Sequence, residues 1–187
     1  MPDYPRLPHE LERLRALKNM NIIDTEQDKL LDAITLEARN HFNSKSCLIS
    51  LITEDRQWFK SKQGLDVSET PRKISFCTYA IAEEEYLIIP DSLADERFKN
   101  NPLVTGAPFI RAYAGSILHT GEGYEVGTFC LLFDKPRTFS DEDISDLLND
   151  STEGLHRVAE IVKGLKLFSR VDSDGVQLHN INDCVRT

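Results

Sequence analysis

The stretch Arg111–Phe133, RAYAGSILHTGEGYEVGTFCLLF, decides the fold. Two apolar runs, Ala112 to Leu118 and Val126 to Phe133, flank a polar segment holding Gly121 and Gly123. Short β-prone runs separated by a few residues with glycine read as an antiparallel hairpin. In the second run Val126, Thr128, Cys130 and Leu132 share one face, and Phe129, Leu131 and Phe133 the other. Both faces are apolar, so this is a central strand covered on two sides. Gly115 and Gly127 leave room for close approach of another backbone or a small ligand. The expected core is a hairpin with helices on one face and a different cover on the other.

Moving toward the N-terminus, Asn100 to Pro108 is a loop, Asp91-Ser92 caps a helical turn, and Tyr86 to Ile89 is a brief strand ended by Pro90. Ile74 to Ala82 is richly apolar and predicts a short helix, preceded by a loop over Asp66 to Lys73. Arg56 to Lys62 alternates as a strand with one wet face, with Trp58 and Phe59 on opposite sides, and Cys47 to Thr53 is an apolar strand. A helix capped by Asp24 or Thr25 carries the stripe Leu30, Leu31, Ile34, Ala38 and Phe42. The first helix, His9 to Lys18, carries Leu7, Leu11, Leu14 and Leu17. Toward the C-terminus, Ser140 and Asp143 stand at capping-box spacing. They open a long helix whose apolar residues recur from Ile144 to about Phe168. The chain thus divides into an N-terminal extension and helix (1–20), a body with the long helix (21–168) and a loosely ordered tail (169–187).

The balance of 31 acidic against 22 basic residues gives a formal charge of −9 over 187 residues. That surface repels a nucleic-acid backbone or an anionic membrane. No apolar run approaches the roughly 20 residues of a membrane-spanning helix, and the N-terminus has no apolar signal region. The expectation is a cytoplasmic protein of one domain, with no nucleic-acid or membrane partner. The four cysteines, Cys47, Cys77, Cys130 and Cys184, show no C-x-x-C spacing, and the histidines are isolated. No metal, cofactor or intrachain disulfide is expected.

Helices at both ends and an antiparallel sheet between them define an α+β sandwich. Four phrases then point to a family: DRQWFKSKQGL at 55–65, ETPRKISFCTYAI at 69–81, PDSLADERFKNNPLV at 90–104 and GTFC at 127–130. In this order and spacing they make the chain resemble the GAF domain, a small-molecule sensory module related in fold to PAS domains. The likeness is to the version found in bacterial signalling proteins, often ahead of kinase or diguanylate cyclase modules. It implies a central antiparallel sheet of about five or six strands, with terminal helices on one face and a roofed cavity on the other. The N-K-F-D-E-type signature of cyclic-nucleotide-binding relatives is absent, and Cys77 lacks the context of a bilin attachment site. No output module follows, so output is delivered by a separate protein or the chain is all there is.

If residues 68–108 form the roof, the ligand site draws on Phe76, Tyr79, Phe98, Tyr113, Gly115 and Phe129, with Arg72, Ser75, Asp91, Asp95, Arg97 and Thr128 supplying polar groups. Each polar residue has a plainer reading. Asp91 can simply cap a helix, Arg97 can pair with Asp95, and Arg72 and Arg111 can tie loops down instead of binding an anion. A catalytic alternative rests on Cys77, since the chain distantly resembles free methionine-R-sulfoxide reductases. That chemistry needs a low-pKa thiolate and a resolving partner, for which Cys130 is the candidate. The preferred expectation is a non-catalytic sensor of an unidentified small molecule, acting as a homodimer through its terminal helices. A dimerisation scaffold without ligand is the third reading.

Overall fold

The computed structural model describes residues 4–173. The chain runs α1 (Glu10–Asn19), α2 (Lys29–His41), β1 (Ser46–Ile52), β2 (Arg56–Gln63), β3 (Glu69–Pro71), a 3-10 turn (Arg72–Ile74), α3 (Phe76–Ala80), β4 (Tyr86–Ile89), α4 (Pro102–Thr105), β5 (Ala112–His119), β6 (Glu125–Phe133) and α5 (Asp141–Ser173). The six strands form one sheet in the order β3-β2-β1-β6-β5-β4, and every neighbouring pair is antiparallel. The expected hairpin is β5–β6, pairing Ala112 with Phe133 through Leu118 with Gly127. It lies inside the sheet, with β1 along the other side of β6.

The sheet separates two cores. On one face Leu17 of α1, Leu31 and Ala38 of α2, and Leu147 and Val158 of α5 bury against Cys47, Ile49, Leu51, Ala114, Phe129 and Leu131. On the other, Phe76, Cys77 and Ala80 of α3 join Phe98, Val104 and Ile110 against Leu48, Ile52, Tyr113, Cys130 and Leu132. Alternation along each strand makes the division. Near its start β6 departs from it, since Val126 joins the helical core beside a register shift at Leu118/His119.

Several sequence expectations need correction. Strand β2 has no wet face: Gln57 to Ser61 are all buried, with Trp58 in the helical core and Phe59 in the roof core. A register shift opposite Ile49/Ser50 leaves Lys60 outside the pairing, and its ammonium bonds to Thr25 Oγ1 at 2.9 Å and to the Glu26 carbonyl. The segments read as loops hold β3 and α4. Helix α2 starts later than expected, because Asp28, not Asp24 or Thr25, accepts from the Leu30 and Leu31 amides at 3.0 and 3.1 Å. Asp28 also pairs with Arg157 of α5 at 2.9 Å, so one carboxylate caps one helix and fastens another. Asp91 holds the Leu93 amide at 3.1 Å, but no helix follows it.

The capping box is as expected: Asp143 donates its amide to Ser140 Oγ at 3.1 Å, and its carboxylate accepts from the Ser140 amide at 2.9 Å. The 33 residues of α5 run past the expected end near Phe168, a length of roughly 50 Å at about 1.5 Å per residue. Its residues Leu155, Ile161 and Val162 pack against the domain's own core. Residues 174–187 of the expected tail lie outside the described residues.

Helix α1 departs most from its pattern. Leu11 is 68% exposed, whereas Arg13 is fully buried. The leucine stripe predicts an apolar contact, but the helix docks through Glu10, Arg13 and Leu17. Glu10 Oε1 accepts from Arg13 Nη2 at 2.7 Å and from Arg72 Nη1 at 2.6 Å. Arg13 also donates to the Ile52 carbonyl at 2.7 Å, and Arg72 to the Thr53 carbonyl at 3.0 Å. Burial raises the Glu10 carboxyl's pKa, yet the bonds from Arg72 and Arg13 outweigh it and bring the group from 4.5 down to about 2. The cluster closes the end of β1 and ties α1 to the turn leading into α3.

Candidate functional site

The roof side of the sheet contains a cavity of about 310 Å³. Leu48, Cys130, Tyr113 and Leu132 form its floor from β1, β6 and β5, and Gln57 and Phe59 close one side from β2. Leu65 to Val67, Thr70, Phe76, Cys77, Leu103, Ala107, Pro108 and Ile110 supply the other walls. Most of this lining is apolar, with Gln57, Asp66, Thr70 and Tyr113 as its polar members. The size falls at the small end of about 300–1,000 Å³ usual for small-molecule pockets.

Of the residues the sequence singled out, Phe76 and Tyr113 line this cavity. Phe98 stacks on Phe76 at 4.0 Å between ring centres, and Tyr79 meets Phe98 edge-on at 4.9 Å, so both belong to the roof's own packing. Phe129 lies on the helical face, because odd-numbered positions from 129 onward point away from the roof. Ser75 is the N-cap of α3 and accepts from the Thr78 amide at 3.2 Å. Arg72 is committed to Glu10. Asp91 pairs with Arg111 at 3.0 Å and Asp95 with Arg97 at 2.8 Å, outside the cavity lining. The geometry matches the plainer reading of Arg72, Arg97 and Arg111, whereas Asp91 caps no helix and holds Arg111 instead.

The two glycines act differently from each other. A Cβ on Gly115 would meet the Tyr113 hydroxyl at 2.1 Å, so the tyrosine already covers that space. A Cβ on Gly127 would meet the Ser50 carbonyl oxygen at 1.9 Å. Gly127 therefore permits the β1–β6 pairing and does not set the depth of the cavity. The room expected at both glycines is thus taken, by the Tyr113 side chain at Gly115 and by the β1 backbone at Gly127.

Sequence reasoning named Thr128, Cys77 and Cys130 but missed Ser50 and Gln57, which join them in one buried polar cluster on the roof side. Thr128 and Ser50 share a hydrogen bond at 3.0 Å across β6 and β1. Beside them Cys77 Sγ accepts from Gln57 Nε2 at 3.1 Å and from the Tyr113 hydroxyl at 3.4 Å. Cys130 Sγ lies 3.6 Å from Cys77 Sγ. Burial pushes the Cys77 thiol up, but bonds from Cys130, Ser50, Thr128 and Tyr113 outweigh this and lower it from 9.0 to about 6. The same contact with Cys77, together with burial, pushes Cys130 well above the ordinary thiol value, and burial pushes Tyr113 up. Side-chain groups on three strands, β1, β5 and β6, supply the depression at Cys77. Gln57 alternates with Trp58 on β2 and could have been assigned to the cavity face on that ground.

Architecture and site together define an α+β domain: a six-stranded antiparallel sheet, terminal helices behind it, and a pocket under a roof of short helices and loops. Residues 26–149 match the family model described as GAF domain, and the chain belongs to that family. Over 136 residues it is 37% identical to a cyclic di-GMP phosphodiesterase of Pseudomonas aeruginosa, covering 73% of this chain but 23% of that protein. The chain thus spans about a quarter of the curated relative it matches. Among solved structures, the GAF domain of an Acinetobacter phosphoenolpyruvate-protein phosphotransferase superposes with a TM-score of 0.60 at 18% identity, covering 83% of this chain and 95% of that one. A free methionine-R-sulfoxide reductase from Neisseria meningitidis, solved with its substrate, gives 0.59 at 15% identity, covering 88% and 98%. At such identities the likeness to both structures is one of fold. Among the described residues, no helix is long and apolar enough to cross a membrane.

Proposed function

We propose that this chain is a non-catalytic sensory module of bacterial signal transduction that binds a small, mostly apolar molecule in the roofed cavity. The cavity carries the reading: about 310 Å³ of largely apolar space with a few convergent polar groups, Gln57, Thr70, Asp66 and Tyr113. The relative named as a cyclic di-GMP phosphodiesterase supports a signalling context. A route for relay also exists. The cavity wall α3 follows directly on Arg72, which is bonded to Glu10 of α1, so a shift of the roof bears on the N-terminal helix. Helices α1 and α5 then carry the state through a cytoplasmic homodimer to an output partner. The dimer contact would involve surfaces other than Leu155 and Val162, which pack inward.

The test is a metabolite panel read by thermal shift and native mass spectrometry, since a ligand of the native state raises the melting temperature by mass action. Thr70→Trp, at the partly exposed edge of the cavity, should abolish such shifts while leaving the unliganded transition intact. If no compound stabilises the protein and Thr70→Trp alone raises its stability, the scaffold reading replaces this one. Turnover of free methionine sulfoxide with a thiol donor, or hydrolysis of cyclic di-GMP, would overturn the non-catalytic reading. Light scattering should return the mass of two 21.3 kDa chains; a monomer would remove the dimer from the proposal.

A further inference from the structure

Independently of any ligand, we propose that Cys77 and Cys130 form an intradomain dithiol site that hydrogen peroxide converts to a disulfide. Two elements far apart in sequence, α3 and β6, bring the sulfurs to 3.6 Å. Both cysteines line the cavity, which is partly open and offers a small neutral oxidant a way in. A disulfide measures about 2.05 Å, so the sulfurs must close by about 1.5 Å. The pair is private to this face of the sheet. Cys47, the third cysteine among the described residues, belongs to the helical core on the other side.

The surroundings assign unequal roles. Cys77 is the attacking sulfur, because Gln57 and Tyr113 donate to it and stabilise its anionic form. The depressed Cys77 thiol and raised Cys130 thiol agree with that order. In the first step the Cys77 sulfur attacks one peroxide oxygen and the O–O bond breaks. The departing hydroxide takes up the proton released by Cys77 and leaves as water, with a sulfenic acid formed on Cys77. In the second step the Cys130 sulfur attacks that of Cys77. The S–S bond forms, the S–O bond breaks, and the hydroxyl leaves with the Cys130 proton as a second water. The two thiols lose two electrons and the peroxide gains them, so no further reductant or oxidant enters. Closure draws α3 toward β6 at the cavity wall, so the oxidised state narrows the pocket.

The experiment uses the full chain. Reduced protein is exposed to hydrogen peroxide, blocked with N-ethylmaleimide, denatured, and read by intact mass and peptide mapping. The expected result is a fall from four free thiols per chain to two, a Cys77–Cys130 cross-linked peptide, and full recovery with dithiothreitol. Cys130→Ser should stop at a sulfenic acid on Cys77 that dimedone traps, and Cys77→Ser should keep its three remaining thiols. Wild-type protein retaining all four thiols at a peroxide dose that fully oxidises free dithiothreitol overturns the proposal. So does a cross-link that runs through Cys184 or between chains. Both decisive readouts come from the wild type, so the folding of a variant does not affect them, and neither depends on finding a cavity ligand.

Discussion

The two faces of the sheet do opposite things with the same strands. The helical face is mostly apolar, with the buried Thr35–Ser61 hydrogen bond between α2 and β2, and is sealed by three helices and fastened at Asp28–Arg157. The roof face is covered by short pieces, buries Ser50, Gln57, Thr128 and the thiol pair, and leaves a cavity. Because side chains alternate, each strand contributes to stability with one set of residues and to the site with the other. In this molecule a place on a central strand does not reveal a residue's role; its parity does.

That contrast can be broken most severely at the backbone shared by both faces. Gly127→Leu should remove the cooperative thermal transition, since its Cβ falls on the Ser50 carbonyl, a destabilisation above about 5 kcal/mol. Gly115→Ala, which meets only the end of the Tyr113 side chain, should keep a cooperative transition at a lower melting temperature. If the two variants melted alike, backbone approach would not distinguish the glycines.

Next comes the charged cluster that bridges α1 to the roof. Glu10→Gln leaves Arg13 and Arg72 buried without their carboxylate and should cost about 3–5 kcal/mol in urea unfolding. The folded-state pKa of Glu10 is depressed, so its contribution is complete above 4.5 and is lost as pH falls toward about 2. Wild-type stability should therefore drop by about 3 kcal/mol more than that of Glu10→Gln across this window. Parallel pH profiles for the two proteins would show that the carboxylate is not linked to folding.

A smaller effect separates the faces directly. Phe129→Ala, in the sealed core, should cost about 3 kcal/mol and leave cavity binding unchanged once stability is accounted for. Leu103→Ala, on the half-buried cavity wall, should cost only about 1 kcal/mol and alter ligand-induced thermal shifts. The reverse assignment of binding effects would mean that the site lies under the helices. Smallest of all, Leu11→Ala should change stability by no more than about 0.5 kcal/mol, given its exposure. A larger loss, dependent on protein concentration, would place Leu11 in a contact between copies.

Much of this architecture was legible before any coordinates. The hairpin Ala112–His119/Glu125–Phe133, the strand at Ser46–Ile52, the amphipathic α2 and the Ser140–Asp143 capping box all follow from local pattern. Each is fixed by residues within a turn or a strand of one another, and period-2 and period-3.6 spacing report that order of contact. The four family phrases placed the chain among GAF domains for the same reason: they record local backbone and packing requirements in order.

What tertiary structure alone decided are the pairings between distant segments. No periodicity connects Glu10 to Arg72, 62 residues on, or Cys77 to Cys130, 53 residues on. Leucine spacing predicted an apolar docking face for α1, and the helix instead turned Arg13 inward, where it donates to the backbone carbonyls of Ile52 and Glu125. The charged residues expected around a ligand found nearer partners, Asp91 with Arg111 and Asp95 with Arg97, and left the cavity to apolar side chains, Asp66 of the β2–β3 loop and a few polar groups from the strands. Desolvation explains the pattern: a charge is buried only where its partner is already in place, and that partner's position is a property of the assembled fold.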